Sequence, residues 1–98
     1  MLRITTIDKG EVTVFRLEGR LTGVWVDELE RVWTETSAVD PTRKVQIDVT
    51  DVEFVDEKGK VLLERMLLEG AELYPGNPFM TSVVADIVEH STLVRVKY

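Results

Sequence analysis

A chain of 98 residues with 44% apolar content can bury one hydrophobic core, roughly 65% of its unfolded surface, and is too short for two. The absence of cysteine excludes a disulfide framework, a thiolate metal site and a cysteine nucleophile, and a single His90 excludes a histidine-rich metal site. The net charge of −6 opposes nonspecific binding to nucleic acid or to an anionic membrane surface, which leaves a protein or a small neutral ligand as the expected partner.

In chain order, Leu2-Arg3-Ile4-Thr5-Thr6-Ile7 and Val12-Thr13-Val14-Phe15-Arg16-Leu17 are rich in β-branched and aromatic residues. The polar Asp8-Lys9-Gly10 between them predicts a β-hairpin. From Thr22 to about Thr36, Trp25, Val26, Leu29, Val32 and Trp33 fall on one helical face, with Thr22 as the predicted N-cap. That spacing makes the two tryptophans core or a dimer seam, not a base-stacking platform. Asp40-Pro41-Thr42-Arg43 predicts a turn, because proline presets φ and pushes the residue before it out of the α region. A strand over Lys44 to Val49 follows.

A second helix is predicted from Asp56 to just before Gly70, which occupies a C-cap position. Its apolar residues Val61, Leu62, Leu63, Met66, Leu67 and Leu68 cover more than one stripe, so the helix is either packed on two sides or offers surplus surface to a partner or a second copy. Ala71 to Tyr74 reads as a short strand. Pro75-Gly76-Asn77-Pro78 is a turn in which Asn77 caps a third helix and Pro78 takes its first position. That helix carries Phe79, Met80, Val83, Val84, Ile87 and Val88, with Ser82 in its first turn and His90 near its predicted end, where a protonated imidazole would favour the dipole. The tail from Thr92 to Tyr98 alternates and is read as an edge strand blunted by Arg95 and Lys97. The order β-β-α-β-α-β-α predicts one α/β domain over residues 1–98, with a small mixed sheet, an N-terminal hairpin and successive β/α units. No run of about 18 apolar residues and no charged-then-apolar leader occurs, so neither membrane insertion nor a signal peptide is expected, and a cytoplasmic address follows.

The chemistry concentrates where the third strand meets the second helix, at Val52-Glu53-Phe54-Val55-Asp56-Glu57-Lys58-Gly59-Lys60-Val61. An Asp at a helix start accepts from backbone N–H groups of the first turn, and the dipole favours its charge; Glu57 gains from the same field. On that reading both residues only stabilise a helix. Asp48, Asp51, Glu53, Asp56 and Glu57 could also surround Mg²⁺, but strand alternation need not point Asp48 and Glu53 the same way as Asp56, and a solvated acidic rim is the simpler reading. Neither a metal nor a cofactor is expected. The scattered glycines do not form a phosphate-cradling loop, no Ser-His-Asp constellation is present, and an enzyme is not expected.

The same junction, with Val45-Gln46-Ile47-Asp48-Val49-Thr50-Asp51 before it and Leu62-Leu63 after it, resembles that of STAS domains, the fold of bacterial anti-sigma factor antagonists. Leu17-Glu18-Gly19-Arg20-Leu21 looks like the family's L-x-G-x-L run. The resemblance covers nearly the whole chain and implies an STAS-like domain that works by protein binding. In the family a Ser or Thr follows the Asp and is phosphorylated to switch partner binding. Here Glu57 holds that position, and a phosphate there would carry about −1.5 to −2 charge, which Glu57 partly imitates. Glu57 either fixes one state or marks a member that has left phospho-switching. Thr50 is a surrogate phosphosite or a turn residue, and Ser82 carries the same two readings. Asp51, Glu53, Asp56, Glu57, Lys58 and Lys60 are the expected partner-binding residues. The implied partner is an anti-sigma factor or kinase-like regulator. The alternatives are a subunit of a multi-component assembly, such as a lipid-transport ABC complex, and a small-ligand or nucleotide sensor, which the lack of a basic phosphate cradle disfavours.

Overall fold

The hairpin forms around Asp8-Lys9-Gly10, as its β-branched flanks and polar turn predict. In the computed structural model, which describes residues 1–96, β1 (Leu2–Asp8) and β2 (Val12–Leu21) pair antiparallel, with Leu2 opposite Gly19 and Asp8 opposite Thr13. Asp8 Oδ1 accepts the Gly10 N–H at 2.9 Å and closes the turn. β3 (Lys44–Val55) lies parallel to β2, with Phe15 beside Ile47 and Leu21 beside Val55. β4 (Glu72–Tyr74) lies parallel to β3, so the sheet order is β1-β2-β3-β4.

β3 runs six residues beyond the predicted Val49. Its buried residues step by two through Val45, Ile47 and Val49, and then by three to Val52 and Val55. Irregularities in the pairing with β2, between Arg16 and Glu18 and between Gly19 and Arg20, accompany that change of phase. An extra residue in a ladder bends the strand and breaks strict alternation, which is why a period of two ends the strand early.

Three helices lie among the described residues: α1 (Val24–Val39), α2 (Glu57–Leu68) and α3 (Pro78–Val96). Each crossover moves one strand along the sheet in the same direction, and crossovers of one hand then put α1 and α2 on the same face. A single core cluster joins Phe15, Leu17, Ile47 and Val49 of the sheet to Leu29 and Trp33 of α1, Leu62, Leu63 and Met66 of α2, and Met80 and Ile87 of α3. Burying each Leu, Ile or Phe in it contributes on the order of 1.5–3 kcal/mol. Arg16, Glu18, Gln46 and Asp48 alternate onto the opposite face of the sheet, which the helices leave open. The broad apolar face of α2 is thus largely used inside the molecule; Leu67 and Leu68 are half-buried, and only Val61 stands out, 61% exposed.

Several boundaries differ from the sequence reading. The residue capping α1 is Gly23, not Thr22, and it has no side-chain cap; Thr22 contributes its carbonyl, which accepts the Trp25 N–H at 3.0 Å. α2 ends in a Schellman motif, with the Ala71 N–H on Met66 O at 2.9 Å and the Gly70 N–H on Leu67 O at 3.0 Å. The predicted tail strand is instead helix: α3 continues to Val96, and Lys97 and Tyr98 lie outside the described residues. Extending a formed helix adds one hydrogen bond per residue without a new nucleus, whereas a seven-residue strand would have to find a free sheet edge. His90 therefore sits within α3 rather than at its end. No described helix is long and apolar enough to cross a membrane.

Candidate functional site

At the end of β3 the chain passes from sheet to helix through Asp56, whose backbone N–H is held by Leu21 O at 3.2 Å. The Asp56 carboxylate is a two-sided clamp. Oδ1 accepts the Gly59 N–H at 2.7 Å and caps α2; Oδ2 accepts the Gly23 N–H at 2.9 Å, at the mouth of α1. These two bonds, Gly23 first, hold the Asp56 carboxyl below the usual carboxylate range. The clamp supplies at the α1 entrance what Thr22 does not.

Gly59 is the second fixed point. It is buried, and a Cβ there would lie 2.8 Å from both Leu21 O and Val55 Cγ1. The first turn of α2 therefore touches the ends of β2 and β3 at backbone distance, and only a residue without a side chain fits. Asp56 and Gly59 together fix how Glu57 and Lys58 are presented.

Glu57 is the first residue of α2 and its side chain is 91% exposed, 3.5 Å from Lys60 Nζ. Lys58 turns the other way and pairs with Asp27 of α1 at 2.6 Å, which raises its pKa. Asp51 lies upstream and pairs with Arg16 of β2 at 3.2 Å. Glu53 is exposed and lines an open depression of about 410 Å³ with Thr50, Asp51, Val52, Asn77 and Phe79. The six expected partner residues are thus not one patch. Glu57 and Lys60 face α3, Lys58 faces α1, Asp51 and Glu53 face the start of α3, and Asp56 is turned inward onto backbone.

The acids between Val45 and Glu57 are likewise dispersed. Asp48 Oδ1 accepts both the Thr50 hydroxyl at 2.6 Å and the Thr50 N–H at 3.0 Å, and the hydroxyl bond is the main reason its carboxyl is held low. Among the described residues no three His, Cys, Asp or Glu are grouped to hold a metal ion. Thr50 therefore lies within β3 rather than in a turn, with its hydroxyl and N–H both held by Asp48. It also abuts Gly76, which has φ 63° and where a Cβ would lie 2.0 Å from Thr50 Oγ1. Ser82 is exposed in α3. Trp33 is buried with the Arg65 guanidinium 5.7 Å from its ring, and Trp25 packs half-buried against the core, so both tryptophans serve the fold.

Asn77 does more than cap. Its Oδ1 accepts the Met80 N–H at 2.8 Å, as the sequence predicts, while its Nδ2 donates to Thr50 O at 2.6 Å and ties the start of α3 to β3. Two further features have no signal in single segments. Arg20 lies 4.7 Å over the Phe54 ring on the open side of the sheet. His90 Nδ1 meets Glu64 Oε2 at 2.5 Å, bridging α3 and α2. Glu64 and His90 are each readable on a helical face, but nothing in either stripe says that the two helices meet.

No family model and no curated protein matches the chain. Among solved structures, a crystal structure of a protein called Mglu superposes with a TM-score of 0.59 at 17% identity, over 76% of this chain and 19% of that one. A structure of Mglu in its native form gives 0.55 at 16% identity, over 74% and 22%. The chain spans about a fifth of the length of those proteins. At this identity the likeness establishes the fold: a small α/β domain with a mixed sheet, an N-terminal hairpin and β/α units.

Proposed function

We propose that this chain is a non-enzymatic, cytoplasmic, STAS-like protein-binding domain of the anti-sigma factor antagonist kind, with Glu57 in the place of the phosphorylated hydroxyl. The observation that carries the reading is the contrast at the junction. Asp56 and Gly59 are used up in holding α2 against β2 and α1, while the residue between them and nearest the helix end, Glu57, is 91% exposed and serves no core contact. A rigid mount with an exposed acidic group is suited to partner recognition, since pre-organisation lowers the entropy cost of docking. Its charge, fixed in sequence, stands where a modification would otherwise add one.

Affinity capture from the native host with wild type, Glu57→Ser and Glu57→Arg as baits tests the reading. An anti-sigma or kinase-like protein whose recovery differs between baits supports it. The same transporter ATPase or membrane subunit on all three baits would replace it with a structural-subunit role and reduce Glu57 to a helix-end charge.

A further inference from the structure

We propose that the groove between α2 and α3 is the docking site for a basic amphipathic helix of the partner protein. The inference rests on the protein-binding reading above and gives that partner a chemistry. The groove has Val61 and Ile87 as its apolar floor, takes Glu57, Lys60 and Glu64 from α2 and Asp86 and His90 from α3 as its rim, and encloses about 250 Å³. That is below the roughly 300–1,000 Å³ typical of small-molecule sites and suits inserted side chains better than a whole ligand.

Val61 is exposed although the residues beside it, Leu62 and Leu63, are buried in the core. It contributes little to the protein's own packing and provides apolar surface at the groove. Ile87, 4% exposed, lines the same groove. The rim sets three carboxylates against one lysine and one histidine, so it is acidic on balance in either state of the imidazole. Lys60 is already beside Glu57, His90 is already on Glu64, and Asp86 makes no ion pair among the described residues. A groove between two helices with an apolar floor and an acidic rim is complementary to a helix with an apolar stripe flanked by lysine or arginine. Glu57 stands at the mouth of this groove, so a change of charge there acts directly on such an occupant.

The test is an NMR titration of the whole ¹⁵N-labelled chain with a synthetic eighteen-residue helix carrying leucines on one face and lysines on the other, with its glutamate counterpart as control. The lysine peptide is expected to bind saturably and to shift amides of Lys60–Glu64 and Asp86–His90. Asp86→Lys and Val61→Ser, both at exposed or rim positions, should each weaken it about tenfold. Glu11→Lys makes the same charge change at the opposite end of β3, where Lys44 N–H meets Glu11 O, and should weaken it less than about twofold. Equal weakening by Glu11→Lys, shifts centred elsewhere, or binding of the glutamate peptide would overturn the proposal. Groove shifts that grow with protein concentration in the absence of peptide would also overturn it, by assigning the groove to a second copy. If a host partner responds to Glu57→Arg but not to Val61→Ser, the groove assignment fails and the protein-binding reading stands. If the peptide maps to the groove while every bait recovers only a transporter assembly, the regulatory reading fails instead.

Discussion

Replacing Asp56 should loosen two helices at once. Asp56→Ala removes the cap of α2, worth about 1 kcal/mol, and deprives the Gly23 N–H of its carboxylate partner. Because Gly23 is exposed, water replaces that partner, and the net loss is about 0.5–1.5 kcal/mol. The sum is about 2 kcal/mol, a fall of roughly 8–16 °C in Tm for a domain of this size. Asp56→Asn keeps one acceptor oxygen, so it retains one of the two bonds and should cost about half as much. Urea unfolding of the three proteins measures this, and hydrogen exchange at the Gly23 and Gly59 amides shows which bond survives. The pH dependence has a definite sign. The Asp56 carboxyl is held low when folded, so its contribution is fully present above the ordinary carboxylate value of about 3.9 and is lost as pH falls through the depressed folded value. The gap between wild type and Asp56→Asn should be widest at neutral pH and narrow in acid. Alanine and asparagine variants equal to each other, or both within about 0.5 kcal/mol of wild type, would refute the two-sided clamp.

Gly59→Ala should destabilise, although alanine normally gains about 1 kcal/mol over glycine inside a helix; a Cβ 2.8 Å from Leu21 O and Val55 Cγ1 forces overpacking of about 1–3 kcal/mol, and a higher urea midpoint would contradict this. Gly76→Ala combines positive φ with a collision at Thr50 and should cost about 1–3 kcal/mol, relieved in part in the double variant with Thr50→Ala when both are measured by chemical unfolding. Asn77→Ala loses the cap of α3 and the tie to Thr50 O, about 1–2 kcal/mol, whereas Asn77→Asp keeps only the cap and should fall between. Glu57→Ser should cost no more than about 1 kcal/mol, the scale of a charge at a helix start, because among the described residues its ion pair is with Lys60; a larger loss in thermal unfolding would make Glu57 a structural residue.

Much of this architecture is legible in the sequence because local and global preferences agree. The hairpin, the Asn77-Pro78 start of α3 and the Gly70 end of α2 follow from turn and cap chemistry that acts within a few residues. The extension of β3 to Val55 is not legible, because its burial changes phase at Val49 and the cause lies in the pairing with β2. Thr22 looks like a cap by composition, yet the α1 entrance is governed by Asp56, 33 residues away on another element. The tail alternates like a strand over residues too few to overcome continuation of α3. Within the candidate site, Asp56 and Glu57 are legible as the start of a helix, Glu57 is singled out only by the resemblance to the STAS junction, and the close approach of Gly59 to Leu21 O is not legible. The opposite headings of Lys58 and Lys60 require knowing where α1 and α3 pack, as does the meeting of Glu64 with His90.

The central claim is that the junction displays Glu57 to a protein partner while Asp56 and Gly59 hold the mount. The most direct test is the calorimetric affinity of the partner recovered by wild type, measured against Glu57→Ser, Glu57→Arg and Glu11→Arg, with all four proteins equally folded. The account predicts that both Glu57 variants change the affinity by about tenfold or more and that Glu11→Arg does not. Unchanged affinity for Glu57→Arg, or an equal effect of Glu11→Arg, would contradict it.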